Sequence, residues 1–243
     1  MTASQSKSPS RYCVDSAIGY LISKYCPQKE ARVLDVGCGE GDYCQYFISH
    51  KCQGRYFGID ILKSSSWQNR TENGLDISYA VYDAQNLENL ARTFNFIISI
   101  QSLEHIEDDE KVMRGVHKCL EREGVFLLTI PSKASFFLYG PHGFRRYNID
   151  RIRQLAQKSG FVVEKIIKVG GLSNFFLHFL TWTFPAIILR LKIWRLYDKY
   201  RFLNKLLFQA EKAAFTLDKH FKFLESGYAA ILKKNDNNEK TIS

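Results

Sequence analysis

From residue 31 onward, short apolar runs rich in Val and Ile alternate with stretches whose apolar positions recur every three or four residues. The first kind reads as buried strands and the second as amphipathic helices. Strands are predicted at Arg32–Val36, Tyr56–Asp60, Ile77–Tyr82, Phe94–Ile100, Gly124–Ile130, Phe161–Val169 and Tyr228–Lys233. Helices are predicted at 12–25, Tyr43–His50, Asp109–Leu120 and Ile149–Ser159. Asn148 can cap the last of these and Gly160 can terminate it. Alternation of this kind builds a mostly parallel sheet flanked by helices, so the expected fold class is α/β.

The pattern breaks between the sixth and seventh strands, where about sixty residues replace an ordinary short connection. Gly170 to Leu189 is a run without Lys, Arg, Asp or Glu. Beyond it, Leu189, Ile193, Leu196, Tyr200, Leu203 and Leu207 recur every three or four residues, one stripe of a helix. Arg190, Lys192, Arg195, Lys199, Arg201 and Lys205 fall off that stripe against one acid, Asp198. A basic amphipathic helix with Trp194 and Tyr197 beside it suits a membrane interface. The uncharged run is long enough to span a bilayer. A single crossing, however, would part the last strand from its sheet, and a re-entrant or surface-lying hairpin hinged at Pro185 avoids that. A lid over a ligand pocket and a homodimer interface are competing readings of the same residues. The expected organisation is 1–30 tail and helix, 31–169 ligand-binding core, 170–226 helical insertion, and 227–243 final strand and tail.

The chemistry concentrates where the first strand ends. In VLDVGCGEG, Val33 to Gly41, the strand runs directly into Gly37, Gly39 and Gly41, alternating with Cys38 and Glu40. Without Cβ atoms the chain can turn sharply and a ligand can lie against the backbone. The helix that follows would turn its free N–H groups towards that ligand. The dinucleotide fingerprint G-x-G-x-x-G would need a glycine where Asp42 stands, so it fails. Asp60 ends the second strand, 21 residues after Gly39, where a carboxylate can accept from ribose hydroxyls. A solvated turn aspartate is the plain alternative. Asp83 ends the third strand, in AVYDAQNL. The fourth strand and its loop read FNFIISIQSLEHI, and the fifth unit reads LEREGVFLLTIPS, closed by Pro131.

Asp35 with its G-x-G-x-G turn, Asp60, Asp83, the Leu-Glu-His-Ile signature and the Gly-Val-apolar run follow one another over residues 31–131. Together they resemble class I S-adenosylmethionine-dependent methyltransferases, in the branch of small-molecule and quinone-biosynthesis enzymes. That resemblance implies a Rossmann-like seven-stranded sheet with helices on both faces and an antiparallel seventh strand, to which this chain adds the helical insertion between strands six and seven. It implies S-adenosylmethionine as cofactor, held by Asp35, Gly37, Cys38, Gly39, Asp60, Ile61, Asp83, Ala84 and Gln101 at the carboxyl ends of the strands. Asp83 would accept from the adenine amine. Asp35 would orient the turn or reach the methionine amino group through water. His105 is the first candidate base, with packing over the methionine moiety as its alternative, and Glu104 shares that ambiguity. His142 is a second candidate base. Arg145 and Tyr147 are acceptor candidates in the loop Pro141–Asn148, Arg being suited to phosphate or carboxylate. A surface loop with a basic face is the alternative there. The expected reaction moves a methyl group to a small amphiphilic or lipid-linked acceptor, with oxygen favoured. The rival readings are a non-catalytic S-adenosylmethionine-binding partner and a membrane adaptor that carries the fold.

Composition narrows the partners. A chain of 243 residues with 45% hydrophobic content can bury a full core. Six cysteines, at 13, 26, 38, 44, 52 and 119, form no C-x-x-C pair, which argues against zinc, so no metal is expected. The start MTASQSKSPSRYC carries no apolar leader core, so a cytoplasmic protein is expected. The net charge of +9 attracts anionic surfaces of any kind. Because that charge accompanies an apolar stripe and no stacking platform, peripheral membrane contact through 172–208 is favoured over nucleic acid.

Overall fold

The computed structural model describes residues 11–139, 143–188, 201–220 and 223–235. Its strands are β1 (Ala31–Val36), β2 (Gly54–Asp60), β3 (Arg70–Glu72), β4 (Leu75–Val81), β5 (Phe94–Ile100), β6 (Leu120–Pro131), β7 (Phe161–Val169) and β8 (Gly227–Lys234). They form one sheet in the order β3-β4-β2-β1-β5-β6-β8-β7. The inner strands earn their place by composition: Val33, Leu34 and Val36 of β1 and Phe96, Ile97 and Ile98 of β5 are fully buried. β1 pairs in parallel with β2 on one side and with β5 on the other. Asp35 thereby lies level with Gly58 and with Ile98. After β4 the chain crosses from one side of β1 to the other, so β1 sits at the switch point where open α/β sheets bind ligands.

Among the described residues there are eight strands where seven were expected. The extra one, β3, is antiparallel to β4. The two are joined by Asn73-Gly74, both in the left-handed region at φ 51° and 82°. An Asn-Gly pair supplies the two positive φ values that a tight hairpin needs.

The helices are α1 (Arg11–Tyr25), α2 (Cys44–Ser49), α3 (Asp109–Cys119), α4 (Phe136–Tyr139), α5 (Ile149–Lys158), α6 (Leu172–His178) and α7 (Arg201–Leu217), with a π-helical segment, Phe179–Ile188, directly after α6. Asn148 caps α5 by accepting from Arg151 N at 2.8 Å, and Gly160 follows its end at φ 81°. Asp108 caps α3 in the same way through Lys111 N. α3 buries Val112, Met113, Val116 and Cys119. It lies so close to the 3₁₀ segment Ala84–Asn89 that a Cβ on Gly115 would stand 2.6 Å from the Leu87 Cβ.

The chain divides into two compact units. One comprises residues 1–18, 131–142 and 167–229, and the other 19–130, 143–166 and 230–243. The start of α1 and the residues after β6 thus group with the insertion, whereas boundaries at 30 and 169 were expected. Within the insertion, Leu172–His178, Phe179–Ile188 and Arg201–Leu217 are helical. Leu189, Ile193, Leu196 and Tyr200 of the predicted stripe lie outside the described residues. Among the described residues no helix is long and apolar enough to cross a membrane.

Gly115→Ala provides a test of the packing of α3. Alanine ordinarily favours a helix interior over glycine. Here overpacking against Leu87 is expected to reverse that and cost about 1–3 kcal/mol in urea unfolding. A gain in stability would contradict the close approach.

Candidate cofactor site

Beyond β1 the backbone is shaped by what cannot fit. Gly37 has φ 74°, and a Cβ there would come within 2.1 Å of Ser102 Oγ, which donates to Val36 O at 3.0 Å. Gly37 N and Cys38 N both donate to Ile59 O at 2.9 Å, fastening the turn to β2. Gly39 N donates to Asp60 Oδ2 at 2.9 Å. A Cβ on Gly39 would meet nothing within 4 Å, so the turn is open on that face. Cys38 is turned into the protein: its thiol is buried and its carbonyl accepts from Gly41 N. Burial, with Asp35 and Asp60 nearby, pushes that thiol well up from its usual range.

Two aromatic residues that sequence reading passed over brace this turn. Trp67 Nε1 donates to Gly39 O at 2.7 Å, and the Tyr79 hydroxyl donates to Gly41 O at 3.2 Å. Their rings stack at 5.4 Å between centroids with 13° between planes. The available signal was a lone tryptophan in the polar run SSSWQN.

The expected acids occupy the strand ends. Asp35 is fully buried, and the Tyr56 hydroxyl donates to its Oδ2 while Oδ1 has no hydrogen bond. Burial pushes this carboxyl up to about 7, Asp60 adding to the effect against the hydrogen bond from Tyr56. Asp60 accepts from Leu62 N through Oδ1 at 3.2 Å, so each of its oxygens already holds one backbone N–H. Each keeps further acceptor capacity. Ile61 beside it is 64% exposed. Asp83 Oδ1 accepts from Gln85 N at 2.9 Å, capping the 3₁₀ segment that begins at buried Ala84. Gln101 stands at the end of β5 with φ 51°, a left-handed conformation uncommon outside glycine, and donates its N–H to Thr129 O.

The loop after β5 separates the remaining candidates. Glu104 is buried with Oε2 lacking a hydrogen bond, and burial raises it to about 7 against the pull of Arg146. The side chain of His105 is exposed, its Nε2 3.9 Å from Glu104 Oε1. Phe144 N donates to Glu104 O at 2.7 Å, and Gly143, at φ 73°, leaves no room for a Cβ against that carbonyl. Arg145 Nη1 donates to Ile106 O at 2.9 Å and lies 3.4 Å from Asp109 Oδ2. Tyr147 is fully buried, with its hydroxyl on Asp109 Oδ2 at 3.1 Å. Tyr147, offered by the sequence as an acceptor contact, thus has no exposed surface in this structure. In this structure Arg145 ties residues 143–147 to the loop before α3. His142 lies outside the described residues.

An open turn, a buried carboxylate oxygen without a partner, and two further carboxylates at neighbouring strand ends fit a ligand that carries hydroxyls and an amino group. Among the described residues no group of three or more His, Cys, Asp or Glu is placed to hold a metal.

The raised carboxyl of Asp35 has a pH signature. The folded chain keeps a proton there that the unfolded chain releases near pH 4, so this residue's effect on stability becomes more unfavourable from about pH 4 to pH 7. Asp35→Asn is expected to change little at pH 4 and to stabilise the protein by about 2–4 kcal/mol at pH 8. Urea unfolding across that range measures it. An equal effect at both ends would show that Asp35 is not held protonated.

Residues 14–166 match a family model described as a methyltransferase domain. Norajmaline N-methyltransferase of Rauvolfia serpentina is 31% identical over 121 residues, 46% of this chain and 40% of that protein. The mitochondrial arginine-hydroxylase NDUFAF5 of Homo sapiens is 28% identical over 101 residues, 42% of this chain and 29% of that protein. Ubiquinone biosynthesis O-methyltransferase of Bartonella tribocorum is 22% identical over 172 residues, 65% of this chain and 67% of that protein. The chain spans less than half the length of the first two of these relatives. A solved S-adenosylmethionine-dependent methyltransferase from Archaeoglobus fulgidus shares the fold, with a TM-score of 0.58 at 14% identity over 93% of this chain and 94% of that one. The family match covers more than half of the chain, including the glycine turn and the acids at the strand ends, and the protein thus belongs to the methyltransferase domain family, in the class I branch whose cofactor is S-adenosylmethionine.

Proposed function

We propose that the protein transfers a methyl group from S-adenosylmethionine to a small amphiphilic acceptor, oxygen being the favoured acceptor atom. The observation that carries this reading is the turn itself, open over Gly39 and flanked by the Asp60 carboxylate and the unpartnered Asp35 Oδ1. When bound, S-adenosylmethionine supplies an activated methyl on a positively charged sulfur. The protein's part is to bind and align. Asp60 would take the ribose hydroxyls on the acceptor capacity left beside Gly39 N. Asp83 and Ala84 would take the adenine edge, and Asp35 the amino group. Gly37, Cys38 and Gln101 would shape the wall between them, with Ile61 as exposed apolar cover.

An oxygen acceptor needs its proton removed, and His105 is the candidate base because its imidazole is exposed beside Glu104. The ubiquinone-pathway relative supports oxygen as the acceptor atom, and the norajmaline relative supports nitrogen as the alternative. The hydroxylase relative is the reason that cofactor binding and methyl transfer are tested separately. The apolar insertion supports the amphiphilic acceptor and membrane contact through 172–208.

Calorimetric titration with S-adenosylhomocysteine tests the first half. Asp60→Ala is expected to weaken binding at least about tenfold, one charge-assisted hydrogen-bond partner being lost. Well-folded native protein that binds none would overturn the reading. Labelled-methyl transfer to phenolic and amine amphiphiles tests the second half. His105→Ala should lower kcat by about 10²–10⁴ for a phenol while leaving the binding of S-adenosylhomocysteine unchanged.

A further inference from the structure

The helices of the insertion are packed the wrong way round for water. α6 and the π-helical segment run together from Leu172 to Ile188. Phe176, Leu180 and Phe184 recur every fourth residue along them and are 52%, 62% and 38% exposed. The residues turned inward are polar: Asn174 and His178 are fully buried and Thr183 nearly so. α7 shares part of this pattern: Phe202 and Leu206 are each 65% exposed, while Glu211 within the helix and Asp218 just past its end are buried together with Leu207 and Ala214.

The polar interior is bonded rather than accidental. Asp218 accepts from Ser173 N at 2.7 Å and from Asn174 N at 3.1 Å, capping the start of α6, and Thr183 Oγ1 donates to Leu138 O at 2.7 Å. A water-facing helix normally buries its apolar stripe. Helices that meet hydrocarbon bury their polar groups against one another and expose their apolar side chains. Single exposed apolar residues are ordinary, but stripes on two helices of one unit point to a contact surface.

Charge identifies the occupant. Residues 190–205, the stretch joining the two stripes, carry six Lys and Arg and one Asp. A two-fold pairing of copies would set these like charges against each other, whereas an anionic surface attracts them. We propose that the apolar stripes Phe176, Leu180 and Phe184 of the first helices and Phe202 and Leu206 of α7 dock on a bilayer containing anionic lipid, their side chains entering the headgroup and upper acyl region. This deepens the amphiphilic-acceptor reading but rests on residues outside the candidate cofactor site. An interfacial helix pair of this kind immerses by roughly 5–10 Å without crossing.

Co-sedimentation of the full chain with phosphatidylcholine vesicles, with and without about 30% phosphatidylglycerol, tests the proposal. Native protein is expected to pellet with the anionic vesicles, less so at high salt. The variant F176Q/L180Q/F202Q/L206Q should lose at least about tenfold in vesicle affinity, more than one exposed apolar anchor being removed. S-adenosylhomocysteine titration of the same variant checks that the fold survives. Absence of native protein from the anionic pellet would overturn the proposal, as would equal pelleting of native protein and the variant. So would a native dimer that the variant converts to monomer with no vesicle binding by either form, because a second copy would then be the occupant. Vesicle binding without S-adenosylhomocysteine binding would sink the cofactor reading and leave this one standing.

Discussion

One carbonyl oxygen organises the cofactor end of the sheet. Ile59 O accepts from two successive backbone N–H groups, Gly37 and Cys38, just where β1 gives way to the turn. These two hydrogen bonds to β2 turn the chain sharply at Gly37, which only a glycine permits beside Ser102. The reversal brings Gly39 N onto Asp60 and leaves the outer face of Gly39 clear. Without it, the acids at the ends of β1 and β2 would share a sheet but not an open turn between them.

The same region stores an electrostatic cost. Asp35 and Glu104 are both buried carboxyls with one oxygen unbonded, an arrangement that folding alone would not select. Asp109, at the start of α3, gathers Arg145, Tyr147 and Arg151. Stability is thus concentrated in the frame and withheld from the site, as expected where a polar ligand must replace water.

How much of this was legible depended on the range of the interaction. β1 and its turn, the acids at the strand ends, and the Asn148 and Gly160 punctuation of α5 are written in neighbouring residues, and sequence reading finds them. The β3–β4 hairpin was legible too, in Asn73-Gly74, but its strands are too short for periodicity to register. Arg145 and Tyr147 look like free polar groups in sequence because their partner Asp109 is nearly forty residues away. Trp67 was obscure for the same reason, its acceptor being Gly39. In the insertion, periodicity tells which residues share a face of a helix. It does not tell which face turns inward: Leu207 of the predicted stripe is buried, whereas Phe176, Leu180 and Phe184 are exposed and Asn174 and His178 are buried.

Tyr79 links positions that no local rule connects. A Cβ at Gly41, in the turn, or at Gly58, in the middle of β2, would stand 2.6 Å from its ring. Two glycines on separate elements therefore face one aromatic side chain, Gly41 being required besides by its φ of 80°. A residue at 79 too small to reach them would relieve the clash at both positions, and a side chain at either would then exclude tyrosine's return. The order in which these three positions change thus decides whether a drifting lineage can retrace its steps.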